Sequence, residues 1–221
     1  MYSLFYKEWI KTQRIIYLLY LIFIAVISYI LLTTQQLIRT SGAVSVWENI
    51  IQKDLGLVDK IQYLPLLAGL LMALAQFTAE MQNKRLKLTL HLPVPETKIM
   101  GGMLYFGILN LLLLFLVTIC SLYIALSINF APEIVCANIM RALPWFTGGL
   151  TAYLLCAWIC IEPVWKNRLL NSIPACGALA MYYWQAKSGA YNSFIPYLIL
   201  LTIVSFSFPF YSTIRFKDGA Q

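Results

Sequence analysis

Long runs without a charged residue alternate with short basic segments along the chain. Six stretches contain no Asp, Glu, Lys or Arg, and each is between 18 and 34 residues long. They are residues 15–38, 61–79, 99–132, 142–161, 169–186 and 188–214. An α-helix rises 1.5 Å per residue, so about 20 apolar residues cross the ~30 Å hydrocarbon core of a bilayer. The pattern therefore predicts six transmembrane helices.

These helices predict an all-α integral membrane protein in which residues 1–221 form a single polytopic transmembrane domain. The predicted spans are residues 15–34, 61–79, 101–127, 142–161, 169–186 and 195–214. The fifth is only just long enough, and it contains Asn171, Pro174 and Gln185. We expect that helix to be kinked or partly re-entrant, which requires protein to cover the exposed backbone groups.

The composition excludes most soluble classes of protein. Hydrophobic residues make up 61% of the chain and charged residues 11%, against about 45–50% and about 25% in soluble domains. So few charges cannot cover the surface of a soluble fold of this size. A soluble enzyme, a nucleic-acid-binding protein and a disordered tail are all disfavoured.

The basic residues are distributed unequally between the two sides that six spans would create. One set of connecting segments and termini carries 11 Lys and Arg, and the other set carries 5. The positive-inside rule then predicts that both termini lie in the cytoplasm. The net charge of +7 is explained by this topology, and we expect no nucleic acid as a partner.

Polar and apolar side chains also separate within the segment that precedes the first span. Lys7, Lys11 and Arg14 share one helical face, with Trp9 among the apolar side chains opposite. This predicts an N-terminal amphipathic helix in the headgroup layer, with its cations near anionic lipid. Its predicted interfacial residues are Lys7, Glu8, Trp9, Lys11 and Arg14. The alternative is a frayed, positively charged flank.

Residues 80–98 connect the second and third spans and are both basic and rich in leucine. The alternation of apolar and polar residues would suit a strand, but a lone strand at a membrane surface has no partner. We therefore expect a helix with Met81, Leu88 and Leu92 on one face, ended by Pro93. A solvated loop is the alternative, although four leucines in seven residues are unfavourable in water.

The predicted spans lack the residues that most membrane chemistry needs. They contain no Asp, Glu, Lys, Arg or His, and the chain has no G-x-x-x-x-G-K-[ST] loop. We expect no catalytic residue and no metal site, because the one histidine, His91, lies outside the spans. A stripe of small residues predicts close helix packing instead; its members are Gly148, Ala152, Cys156 and Cys160.

Two segments resemble the signature of ABC-2 type ABC transporter permeases. Glu80 at the end of the second span, a leucine-rich run ending in Leu92-Pro93, and Lys98 before the third span follow that family's pattern. The opening Tyr6-Lys7-Glu8-Trp9 is similar too. Two features depart from the family: residues 82–85 lack the frequent Arg-x-x-Gly-Thr, and Met103 follows Gly102 where lysine is common.

The resemblance implies a function and a set of partners. Two such permeases pair as a homodimer or heterodimer in the inner membrane of a prokaryote, and each rests on a separate ABC ATP-binding subunit. That subunit binds ATP and Mg²⁺, so the chain itself needs no cofactor. The segment between spans two and three would be a coupling helix that contacts the ATPase through Glu80, Lys84, Arg85, Leu88 and Leu92. The uncharged, aromatic-rich spans suit export of a hydrophobic or amphipathic substrate.

Two other functions stay open at the level of sequence. A membrane enzyme acting on lipid or peptide could use Glu133, Glu162 or His91, each just outside a span. A membrane scaffold or immunity protein would need neither catalytic residues nor an ATPase.

Overall fold

The computed structural model describes residues 2–53, 56–81, 95–184 and 189–217, and all regular structure within these ranges is helical. The all-α prediction is thus confirmed. A short 3₁₀ turn, Asp59–Ile61, precedes the third helix. The α-helices are α1 Tyr2–Ser41, α2 Ala43–Lys53, α3 Leu64–Met81, α4 Glu96–Ser127, α5 Pro132–Ile161, α6 Trp165–Tyr183, α7 Ile195–Ser205 and α8 Phe208–Lys217.

Several of these helices are suited to a bilayer by length and apolarity. In the described part of the chain, five segments qualify: Ser3–Ser41, Asp59–Met81, Glu96–Ser127, Pro132–Ile161 and Ile195–Phe216. This agrees with a multi-pass membrane protein. Helix α6 has 19 residues but carries polar side chains in its first two turns, and it is not among the five. By length and composition, these five segments correspond to five of the six predicted spans, and α6 corresponds to the predicted fifth.

Helix α1 is one continuous helix of 40 residues. The predicted N-terminal helix is present, but it is continuous with the first span, because no Gly or Pro occurs in Tyr2–Ser41 to interrupt it. At 1.5 Å per residue it is about 60 Å long, twice the hydrocarbon thickness. It ends where Gly42 adopts φ +79° and its N–H bonds the Ile38 carbonyl at 3.1 Å, a left-handed cap.

Other element boundaries differ from the prediction as well. Helix α5 begins at Pro132, ten residues before the predicted fourth span, so most of the expected outer connection is helical. The last span is interrupted between α7 and α8, where Phe206 N–H bonds the Ile203 carbonyl at 3.1 Å. Helix α2 lies in the segment that connects the first two predicted spans. The predicted coupling helix falls mainly on residues 82–94, outside the described residues.

Helices α3 and α5 form the closest contact in the fold. A Cβ atom on Gly69 would overlap the Gly149 carbonyl oxygen, and a Cβ on Gly149 would lie 2.5 Å from the Pro65 carbonyl oxygen. Only glycine permits backbones to approach so closely. The aromatic rings of Phe77 and Tyr153 continue this contact 6.2 Å apart, so α3 and α5 pack as a unit.

Two ends of the helical bundle can be distinguished by their charged residues. At one end, called here the Arg141 end, Arg141 and Asp59 form an ion pair of 3.1 Å. The other, called the Glu80 end, holds the end of α3. Midway along the bundle, the Phe115 ring of α4 packs against the Phe146 ring of α5 with centres 5.3 Å apart.

Candidate functional site: a buried ion cluster joining the first and third helices

Four charged side chains form a cluster where the N-terminal part of α1 meets the end of α3. Glu80 Oε1 accepts from two cations, Lys7 Nζ and Lys11 Nζ, both at 3.0 Å. Lys11 Nζ also lies 2.8 Å from Glu8 Oε2. Lys11 therefore bridges the two carboxylates. We call Lys7, Glu8, Lys11 and Glu80 the ion cluster.

The carboxylates of the ion cluster are removed from solvent. Glu8 is 0% and Glu80 2% exposed, whereas Lys11 is 15% and Lys7 44% exposed. A buried carboxylate is tolerated only where cations and hydrogen bonds compensate its lost hydration. Two cations against two carboxylates balance the local charge. The cluster therefore holds the start of α1 against the end of α3.

A polar network continues from the ion cluster into the core. The amide of Gln76, one turn before Glu80, donates to the Met103 carbonyl at 2.8 Å. Its oxygen accepts from the Tyr153 hydroxyl at 2.7 Å. Both side chains are fully buried. This network links α3 to α4 and α5, so the Glu80 end of α3 is tied by hydrogen bonds to three other helices.

A second buried carboxylate, Glu162, joins α5 to the end of α8. Its Oε1 lies 3.1 Å from Arg215 Nη1, and its Oε2 accepts from the Ser212 hydroxyl at 2.6 Å. Asn167 Nδ2 donates to Oε1 at 3.2 Å, and Arg168 Nε donates to the Glu162 carbonyl at 2.6 Å. These contacts bring the start of α6 and the end of α8 to the end of α5.

The residues predicted for the interfacial helix have two kinds of environment. Lys7, Glu8 and Lys11 belong to the ion cluster, so the two lysines pair with carboxylates of the chain itself. Arg14 is exposed. Trp9 is 36% exposed, and its ring meets Tyr17 edge-on at 6.2 Å.

The predicted ATPase-contact residues are described only in part. Glu80 is inside the ion cluster, so its carboxylate is not available at the surface in this structure. Lys84, Arg85, Leu88 and Leu92 lie outside the described residues, as does His91. What sequence reasoning missed is that Glu80 has a partner within the chain, at a separation of 69 residues.

The small-residue stripe on α5 lies partly against α6. A Cβ on Gly148 would stand 2.9 Å from Tyr182 Cβ, and Ala152 is fully buried. Cys156 is 9% exposed, and Cys160 is half-buried. The Tyr182 hydroxyl beside the stripe donates to the Leu198 carbonyl at 2.8 Å.

Glu133 and Glu162 do not form a common site. Glu133 is exposed in the first turn of α5, and Glu162 is buried just beyond its last residue. Twenty-nine residues of helix separate them by about 43 Å. At that distance the two carboxylates cannot act on one substrate atom, so the geometry does not support an enzyme that uses both. Glu162 instead links α5 to α8, as Glu80 links α3 to α1.

Comparison with models of protein families, with curated proteins and with solved structures finds no significant match to this chain.

Proposed function

We propose that the chain is the membrane-spanning permease subunit of an ABC-2 type transporter, exporting a hydrophobic or amphipathic substrate. ATP would be hydrolysed with Mg²⁺ on a separate ATP-binding subunit, and a second permease copy would complete the pore. The resemblance of residues 80–98 to that family motivates the proposal. The observation that carries it is the ion cluster, which ties α1 to the residue where this segment begins.

The ion cluster offers a path for force from the ATPase into the bundle. Residues 82–94 follow Glu80 directly in the chain, so a push on them acts on the end of α3. Because Glu80 is bonded to Lys7 and Lys11, the push is shared with α1. The glycine contact between α3 and α5 carries it further, since closely packed helices move as rigid bodies.

This path revises the role of Glu80. Glu80 would link α3 to α1 inside the bundle. Lys84, Arg85, Leu88 and Leu92 remain the proposed contacts with the ATPase. The leucines would pack in a cleft of that subunit, and the cations would set register by charge pairing.

We propose six crossings, with α6 as the fifth and α7 with α8 as the sixth. What supports this is the position of the two ends of α6. Its first turns bond Glu162, while Tyr183 stacks on Tyr63 with ring centres 5.9 Å apart. Tyr63 lies close to Asp59 at the Arg141 end, so α6 runs the length of the bundle beside α5.

The positions of the first and last helices support the same six-crossing topology. Arg215 near the end of α8 pairs with Glu162, and the start of α1 pairs with Glu80. Glu80 and Glu162 lie at the same end because α3 and α5 run in the same direction, with Gly69 against Gly149 and Phe77 against Tyr153. Both ends of the described chain thus belong to one end of the bundle, as an even number of crossings requires. The surplus of basic residues on this side then predicts that it faces the cytoplasm, and the family resemblance implies the inner membrane of a prokaryote.

Fusion reporters test the crossing number. Green fluorescent protein attached at either terminus should fluoresce in both fusions, because it folds in the cytoplasm. A phosphatase inserted at Ser188, in a predicted outer connection, should be active only if that connection is outside. Fluorescence from one terminus alone would refute six crossings.

Affinity purification in mild detergent tests the function. The chain should co-purify with an ATP-binding subunit, and Leu88→Arg or Arg85→Glu should release it. Lys187→Glu, a charge reversal in a predicted outer connection, is the matched control and should retain it. If the partner is absent, or retained by both coupling-segment variants, the proposal fails.

A further inference from the structure

An apolar groove runs between α4 and α5 on the outside of the bundle. Its volume is about 520 Å³, and its floor includes the Phe115 and Phe146 rings. Its rim carries Leu112 and Leu116, which are 49% and 59% exposed. Its lining carries two hydroxyls, those of Tyr105 and Thr147. The Thr147 hydroxyl donates to the Pro144 carbonyl at 2.9 Å, and most of the other lining side chains are aliphatic or aromatic, so the groove presents mainly hydrocarbon.

The groove follows α4 as a long apolar channel. Its lining on α4 extends from Tyr105 to Cys120, which is about 22 Å along the helix axis. The opposite wall is formed by Leu143, Phe146 and Leu150 of α5. An apolar channel of this length accommodates an extended hydrocarbon chain lying beside the helix.

A cation stands above the groove on the same face of α4. Lys98 precedes Tyr105 by seven residues and Leu112 by fourteen, so the three side chains share a helical stripe. Lys98 is exposed in the first turn of α4, about 10 Å beyond the end of the groove. Glu96 lies in the same turn and is the nearest acid in sequence.

We infer that this groove binds one acyl chain of an anionic phospholipid, with the lipid phosphate held by Lys98. This phospholipid would lie in the leaflet at the Glu80 end of the bundle. The acyl chain fills the apolar channel, and the flexible lysine reaches the headgroup layer above it. A groove that presents hydrocarbon at the depth of the bilayer, below an exposed ammonium group, is complementary to a lipid with a negative headgroup. The inference is independent of transport.

Photolabelling of the purified full chain in lipid nanodiscs tests the inference. The probes are phosphatidylglycerol and phosphatidylcholine, each with a diazirine at the end of one acyl chain, and labelled peptides are mapped by mass spectrometry. Phosphatidylglycerol should label residues 105–120 and 143–150 more strongly than other lipid-facing helices. Lys98→Gln should lower this labelling about fivefold, to the level of phosphatidylcholine. Lys166→Gln, an exposed lysine in the first turn of α6, should change nothing.

A second variant separates groove filling from charge. Leu112→Trp places a larger side chain on the rim and should reduce labelling by both lipids, whereas Leu200→Trp on exposed α7 should not. Uniform labelling of all lipid-facing helices, or equal labelling by the two lipids, would overturn the inference. Cross-linking of two chains through Cys120, which lines the groove, would assign it to a second copy and would also overturn it.

Discussion

Lys11→Met removes the central cation of the ion cluster while keeping a long apolar side chain. Lys11 Nζ lies 2.8 Å from Glu8 and 3.0 Å from Glu80. After the substitution, Lys7 is the one cation left in the four-residue cluster, and it is 44% exposed. Glu80 then keeps the partly exposed ammonium group of Lys7, and the buried Glu8 carboxylate loses its ion pair with Lys11.

The expected cost follows from the distances and the burial. At an effective dielectric constant near 20, opposite charges about 3 Å apart attract by about 5 kcal/mol before desolvation is subtracted. Removing one partner of a buried pair costs about 3–5 kcal/mol in measured cases. Lys11 is 15% exposed, so water takes up part of the loss. We expect the free energy of unfolding to fall by about 3 kcal/mol.

The assay is unfolding of the purified chain in mixed micelles, with dodecyl sulfate as denaturant. Adding Glu8→Gln to Lys11→Met removes the orphaned charge and should recover at least about 1 kcal/mol, because contacting residues are not additive. Lys166→Met, at an exposed position, is the control and should stay within about 0.5 kcal/mol of the unsubstituted chain. A cost below about 0.5 kcal/mol for Lys11→Met would refute the ion cluster as a structural link.

Three further changes probe other contacts by the same unfolding assay. Gly149→Val should destabilise by about 3 kcal/mol because its side chain meets the α3 backbone; Gly177→Val, into open space, should not. Tyr153→Phe leaves the Gln76 amide oxygen without its buried donor and should cost about 1–3 kcal/mol. Glu162→Gln should cost about 1–2 kcal/mol by weakening its ion pair with a half-exposed arginine. An unchanged midpoint in any of the three would contradict the corresponding contact.

Helical class and membrane character could be predicted from the sequence because they depend on local composition. A run without charges and long enough to cross a bilayer has few alternatives to a helix, since backbone polar groups in hydrocarbon must bond within the segment. The predicted ends of the transmembrane helices were less accurate. Helix α5 begins at Pro132, well before the charge-free run from residue 142. The helix can include Arg141 because that side chain pairs with Asp59, and it is only 7% exposed. A charge ended the predicted span but does not end the helix.

The ion cluster could not be predicted in the same way. Glu80 and Lys11 are far apart in the chain, and nothing local to either residue indicates the other. The sequence instead predicted cations near lipid and a surface carboxylate, which is the usual state of isolated charges. Gln76 was the sequence feature that could have indicated a buried polar network near Glu80, because a polar amide inside an apolar run requires a partner.

The glycine contacts illustrate a further limit of sequence reasoning. The spacing of small residues selected Gly148 on α5, which does face α6. The closest backbone contact, however, involves Gly149, which points about 100° away around the same helix. Which of two adjacent glycines meets α3 depends on the arrangement of three helices, and that is a tertiary property.

ATP turnover by the purified complex tests the central claim most directly. The chain, isolated with its partner in mild detergent and reconstituted in vesicles, should support ATP hydrolysis that vanadate inhibits. Leu88→Arg should abolish this turnover, while His91→Ala should retain it. A chain that purifies without vanadate-sensitive turnover, yet folds and inserts normally, would contradict its assignment as the membrane subunit of an ATP-driven transporter.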